Sequence, residues 1–187
     1  MRDTWLANVR TPAIKPLPAK PAEPLSFDPR AALQDHYRNV AECRMVGMPF
    51  MNPGLVVEVV ASCRLQGDWL AALVTPWCIM MVLMPGGGAL WKDTGLGARR
   101  EVALPVGVVS FIADEGPASL PCLQYCPIVA PVSHLVDQAQ AVELAIEAHE
   151  TCLIAPSLSS EGIEGVGPRP EPSHSASRRS FLLGNGR

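Results

Sequence analysis

The side chains in this sequence with types suited to chemistry are its six cysteines, its four histidines and a set of carboxylates with no nearby base. Cys122-x-x-x-Cys126 followed by His134 offers three metal ligands, but a structural zinc takes four in tetrahedral array. The trio is therefore a partial set, and strand or core cysteines are the simpler reading. Cys78 follows Thr75-Pro76-Trp77 with no basic neighbour in sequence to lower its pKa, which predicts a buried, inert thiol. His36, His134, His149 and His174 lie far apart, and the chain carries no Walker loop, no H-E-x-x-H and no G-x-S-x-G. No catalytic set assembles from these residues.

Charge is more informative. The formal net charge of −3 conceals a long segment, from Glu101 to Pro168, with no lysine or arginine but nine acidic residues. Nucleic acid is excluded as a partner of that half, because phosphate contacts need a basic footprint. A basic protein partner is expected instead. Glu143, Glu147 and Glu150 share one helical stripe with Val136 and Gln140, and no lysine or arginine neutralises them. Like charges at i, i+4 are mildly destabilising, and carboxylates at a helix C-terminus oppose the dipole. The stripe is either a solvated face or a receptor for arginine. At the far end, Ser177-Arg178-Arg179-Ser180-Phe181-Leu182-Leu183 resembles the core of a twin-arginine export signal, placed where no export machinery could read it. Arg178, Arg179, Phe181 and Leu182 are candidate mimics of such a signal, or a docking element, or an inert basic tail.

The elements that must position these residues follow from periodicity. Residues 1–27 carry five prolines from Pro12 to Pro24 and read as a disordered leader. Asp28-Pro29 starts a helix to about residue 44, with Leu33, Tyr37, Val40 and Ala41 on its apolar face. Asn52-Pro53-Gly54 is a turn, and Leu55 to Cys63 is a strand with Glu58 and Ser62 on the same side. Gln66-Gly67-Asp68 reads as a hairpin turn into a strand to Thr75, where Pro76 breaks or bulges the chain before Cys78 to Met84. Pro85 and the glycines that follow end the uncharged run from Trp69 too soon for a membrane-spanning helix. Two more strands are expected at 101–104 and 106–113. A last helix at about 134–151 has Ser133 as its N-cap and Leu135, Ala139, Val142, Ile146 and His149 on its inner stripe. Residues 156–176 are a flexible linker by composition, and 177–187 form the tail.

Read in order, several segments resemble the HybE-type (HupJ/HoxT-type) [NiFe]-hydrogenase assembly chaperones. They are Arg44-Met45-Val46-Gly47-Met48-Pro49, Asn52-Pro53-Gly54-Leu55-Val56-Val57-Glu58, Thr75-Pro76-Trp77-Cys78, Leu104-Pro105-Val106-Gly107 and the stretch from Cys126 through Pro131 to Asp137. The chain departs from the family pattern at Ile79-Met80-Met81, where an asparagine is usual. The resemblance implies structural roles for Pro49, Asn52, Pro53, Thr75, Pro76, Trp77, Cys126 and Pro131. It also implies a non-enzymatic chaperone without a cofactor. Its expected client is the precursor of a hydrogenase small subunit with its twin-arginine signal, and the large subunit and a thioredoxin-like chaperone are possible further partners.

The expected fold is a single α+β domain over residues 28–155: an antiparallel sheet of about five strands between residues 55 and 126, flanked by an N-terminal and a C-terminal helix, with disordered ends. Free cysteines without a secretory signal place the protein in a reducing cytoplasm. Two other classes stay open: a metal or redox accessory protein using Cys122, Cys126 and His134, and a peripheral membrane protein using Trp69 to Met84.

Overall fold

Uncharged runs in an antiparallel sheet require cover on both faces, and the fold supplies it over half of the sheet. The structure is a computed structural model that describes residues 21–155 apart from residues 118 and 121. The chain divides into two units at Pro156, and all described residues belong to the first. Helix α1 (Arg30–Cys43) is followed by strands β1 (Glu58–Leu65), β2 (Asp68–Val74), β3 (Ile79–Met84), β4 (Arg99–Leu104), β5 (Gly107–Glu115) and β6 (Cys122–Val129), then by helix α2 (Gln138–Leu153). The strands form one antiparallel sheet in the order β1-β2-β3-β6-β5-β4.

This is the expected α+β architecture with one strand more. The last strand named from sequence ends at residue 113, and the expected limit of the sheet at residue 126 falls inside β6, which lies between β3 and β5. Its signal is broken by Pro127, which pairs with Met80 where the register against β3 shifts. β4 begins at Arg99 rather than at Glu101, because Arg100 is taken up inside the fold. Its guanidinium donates from Nε and Nη2 to Gln124 Oε1 and from Nη2 to Leu90 O.

Alternate residues of β2 and β3 feed two cores. Leu70, Ala72 and Val74 with Ile79, Met81 and Leu83 pack under α2, while Ala71 and Leu73 with Met80, Val82 and Met84 pack under α1. Burying one such side chain fully contributes about 1.5–3 kcal/mol, so this double layer carries much of the stability. The cover ends at β3. Among the described residues, α1 packs chiefly on β1, and α2 on β1, β2 and β3. Beyond β3 the α2-side face is filled by Phe111, Val102, Leu104 and Leu90, whereas the α1-side face presents Val108, Ser110, Ile112 and Tyr125 with no helix over it.

A bulge between Val59 and Ala61 sets the two sides of β1. Val60 and Ala61 both turn toward the α2 core, which reverses the alternation. Glu58 therefore bonds Gln138 of α2, while Ser62 donates to Asp28 on the α1 side. Their expected placement on the same side is corrected. The β1–β2 connection is the two-residue loop Gln66-Gly67 with both φ angles positive (50° and 91°), the type I′ geometry that fits strand twist.

Asp68, read as part of a turn, is fully buried. Its carboxylate accepts from the backbone N–H of Gly86, Gly88, Leu90 and Trp91 at 2.8–3.0 Å, and so shapes the glycine loop. Gly86 and Gly88 sit so close to the hairpin that an added Cβ would overlap the carbonyls of Gly67 and Gln66. The end of the proline-rich leader is also docked. Leu25 is buried, its N–H bonds Pro85 O, and its carbonyl receives Arg64 and the Trp69 indole.

Helix α2 starts later than expected. Asp137, not Ser133, is the N-cap and accepts from Gln140 N, so the buried stripe becomes Ala141, Ala145, His149 and Cys152. Ala139 and Ile146, expected inside, face solvent. His149 Nε2 lies 3.2 Å from Leu70 O and 3.6 Å from Cys63 Sγ, a polar pairing inside the α2 core.

Candidate functional site

The quoted sequence motifs converge at one end of the sheet. Thr75-Pro76-Trp77-Cys78 is the reverse turn joining β2 to β3 and not a bulge in a single strand. Thr75 N donates to Cys78 O at 2.9 Å, and its buried hydroxyl donates to the same carbonyl and accepts from Cys78 N. Asn52 locks this turn to two other segments. Its N–H bonds Pro76 O, its side-chain amide donates to Val132 O and Leu135 O ahead of α2, and Oδ1 accepts from Gly54 N. A buried amide with all these partners is costly to replace. Pro49, Pro53 and Pro131 are exposed on the surrounding loops.

Above this junction, on the α1 side, lies a cleft of about 660 Å³. Tyr37, Val40 and Arg44 form its helical wall, Trp77 and Met80 line its base, and Tyr125, Pro127 and Pro131 line the β6 side. The Tyr37 and Trp77 rings are 6.4 Å apart. Trp77 is only half-buried, whereas Pro76 is buried. Phe50 in its lining is 43% exposed, and Val46, Met48 and Ile128, each within two residues in sequence of a lining residue, are exposed as well. Burial lowers the pKa of His36, with Asp114 opposing and Arg44 reinforcing the shift. Cys78 is buried as expected, and burial pushes its thiol up to about 11, against a smaller opposing effect from its bond to Thr75, which disfavours the thiolate.

A second recess of about 490 Å³ lies at the β5–β6 hairpin end. Its apolar surface comes from Trp91, Leu96 and Leu123, and its carboxylates are Glu23, Asp93, Asp114 and Glu115. Asp93 Oδ1 accepts from the Trp91 indole and from Ala22 N, which ties the leader to this rim. Gln124 at the base is fully engaged with Arg100, Lys92 O and Thr94. Asp114 lines both the recess and the cleft.

The residues singled out from sequence fall in different places. Glu143, Glu147 and Glu150 are all exposed on α2, the helix that covers the opposite face from the cleft. Arg178, Arg179, Phe181 and Leu182 lie outside the described residues. Cys122 and Cys126 share the α2-side face of β6, but four residues of strand separate them by about 13 Å. His134 is exposed, and among the described residues no group of three possible ligands could hold a metal ion. Cys126 lies near Cys152 under α2, where burial raises the Cys152 thiol and Cys126 adds to the effect. The run Trp69 to Met84 forms β2, the Thr75–Cys78 turn and β3 and is buried apart from the half-buried Trp69 and Trp77, and no described helix is long and apolar enough to cross a membrane. Sequence reasoning missed Phe50, Asp114 and Tyr125. The only signal for Asp114 was its place in the segment without lysine or arginine.

A single antiparallel sheet, sandwiched by two helices over one half and bearing a recessed apolar surface beside the other, defines this as an α+β protein with a groove on its open face. Comparisons with known proteins place it further. A family described as [NiFe]-hydrogenase assembly, chaperone, HybE matches residues 28–184. The chain belongs to that family. It is 31% identical over 154 residues to the hydrogenase expression/formation protein HoxT of Azotobacter vinelandii, covering 82% of this chain and 93% of that one. It is 25% identical over 156 residues to the hydrogenase-2 operon protein HybE of Escherichia coli K12, covering 83% and 89%. The solution structure of Escherichia coli HybE has the same fold, with a TM-score of 0.60 at 22% identity over 90% of this chain and 97% of that one.

Proposed function

We propose that this protein is a non-enzymatic chaperone that binds the precursor of a hydrogenase small subunit in the cytoplasm, by its twin-arginine signal, until cofactor insertion is complete. The observation that carries this reading is the apolar cleft at the motif junction, with Asp114 lining both it and a recess that carries further carboxylates. Such a signal couples an arginine pair to apolar residues. Its recognition calls for carboxylates, which hold guanidinium groups through charge-assisted hydrogen bonds, beside a surface that buries the apolar part. The exposed Phe50 in the cleft lining is the kind of side chain a client would cover.

The Glu143, Glu147 and Glu150 stripe faces away from the cleft and serves, in this reading, a second basic partner. The large subunit and a thioredoxin-like hydrogenase chaperone are the candidates for further members of the complex. The test is a pull-down with the full chain from cells expressing hydrogenase genes, with partners identified by mass. The expected result is the small-subunit precursor with its signal still attached. Recovery of only the large subunit, or of neither, would overturn the choice of client.

A further inference from the structure

The two edges of the sheet are finished differently. β1 lies between both helices, and Gln34 of α1 accepts the N–H of Val59 on its outer side. β4, at the other edge, packs chiefly on β5. Its register is unbroken from Arg99↔Ile112 to Leu104↔Gly107, with no proline, bulge or lysine inside it to turn another strand away.

Ladder alternation fixes where the backbone groups of β4 point. Just ahead of the strand Ala113 N donates to Ala98 O, so Arg100 and Val102, two and four residues on, exchange their bonds with Phe111 and Val109. The N–H and C=O groups of Arg99, Glu101 and Ala103 therefore point away from β5, and no hydrogen bond reaches them from any described residue. The side chains of these three residues stand exposed on the open α1-side face, since Arg100, Val102 and Leu104 take the α2 side.

An open edge of this kind accepts an extended strand, and the side chains along it decide which. Arg99 and Glu101 lie two apart with opposite charge, a pattern that is its own complement when β4 runs antiparallel to a copy of itself. With a two-fold axis at Arg100, each Arg99 faces Glu101 of the second copy in a hydrogen-bonded pair. Other symmetric registers fail. An axis at Arg99 or Glu101 sets like charges opposite each other, and one at Val102 sets Arg99 against Pro105, which has no N–H to give. The two Arg100 side chains on the axis do not clash in charge. Each guanidinium reaches back across β5 to Gln124 on β6, which keeps the two more than about 10 Å apart.

We propose that β4 is a self-docking edge: two copies of the chain pair β4 to β4 antiparallel about Arg100, with Arg99 of each copy against Glu101 of the other. One sheet then continues from copy to copy, and both open faces lie on the same side. This goes beyond the client reading and does not depend on it. A contact of one short strand predicts an association that depends on concentration rather than an obligate dimer.

Sedimentation velocity of the full chain over a concentration series should show a monomer passing into a dimer. Arg99→Glu alone and Glu101→Arg alone should each weaken the dimer about tenfold or more, because both ion pairs become like-charge pairs. Mixing the two single variants, or combining both changes in one chain, sets opposite charges face to face again and should restore the dimer. Both side chains are exposed and make no hydrogen bond among the described residues, so the fold is retained, and melting temperatures check this. Hydrogen exchange at the Arg99 and Glu101 amides should slow with rising concentration, while that of Val59, already bonded to Gln34, should not change.

A monomer at every concentration would overturn the proposal. So would a dimer whose strength ignores the charge changes, or one that leaves the Arg99 and Glu101 amides unprotected. Losses in the single variants that neither the mixture nor the double variant recovers would do the same. Protection that appears only when a client peptide is added would give the edge to the client and overturn the second copy as its occupant.

Discussion

The two halves of the sheet are built from the same kind of strand but are covered differently. β2 and β3 are buried on both faces between α1 and α2, so every residue from Leu70 to Val74 and from Ile79 to Met84 is removed from solvent. β5 carries Phe111 fully buried on one face and Val108 68% exposed on the other. The strands of the first half keep almost no exposed surface of their own. The second keeps one face for packing and leaves the other exposed among the described residues, held in place by the rigid half beside it. In the proposed reading, folding stability and client recognition fall on different parts of one sheet.

The largest effect that can test this division lies within β5. Phe111→Ala should cost about 3–5 kcal/mol in chemical denaturation, while Val108→Ala on the same strand should stay within about 0.5 kcal/mol. Similar losses at the two positions would mean that the open face is covered. Asp68→Ala comes next. It strips four backbone N–H groups of their acceptor, and a loss of about 3 kcal/mol or more is expected, with faster hydrogen exchange at residues 86–91. Trp77→Ala should cost less than a core tryptophan, about 1–2 kcal/mol, because the ring is half-exposed, and should weaken client binding as well.

A pH effect separates the halves in another way. The Cys78 thiol is raised from its ordinary value of 9.0 to about 11 by burial, so the folded state favours the neutral form. The stability this contributes is complete below about pH 9, where the unfolded thiol begins to ionise, and is lost as the pH climbs to about 11. Cys78→Ala should therefore show a shallower fall in melting temperature over that range. Gln at Glu143, Glu147 and Glu150 should have the smallest effect, raising stability by a few tenths of a kcal/mol per relieved pair, as read from the denaturation midpoint.

Local chemistry was the legible part of the sequence. The Gln66-Gly67 loop, the Asn52 turn, the β2 and β3 runs and the Thr75-Pro76-Trp77 junction all follow from short-range residue preferences, and the structure has them where expected. Long-range pairing was not legible. Nothing in the run from Cys122 to Val129 says that it inserts between β3 and β5, and Pro127 argues locally against a central strand until the register shift at Met80 is seen. The helical stripe of α2 was read one turn early because Ser133 is as good a cap by type as Asp137. The site was hidden for the same reason. Tyr37, Phe50, Trp77, Asp114 and Tyr125 are far apart in sequence and meet only once the sheet order is known. The α2 stripe stood out because periodicity displays it within one element.

The most direct test of the central claim is a methyl NMR titration of the isoleucine-labelled full chain with the small-subunit signal peptide. Ile112 reports on the open face and Ile128 on the end of β6 next to the cleft-lining Pro127, and Ile146 and Ile154 on α2 and its end. The account predicts large shifts at Ile112 and Ile128 with Ile146 and Ile154 unmoved. Shifts at Ile146 and Ile154 with Ile112 and Ile128 unmoved would place the client on α2 and contradict it.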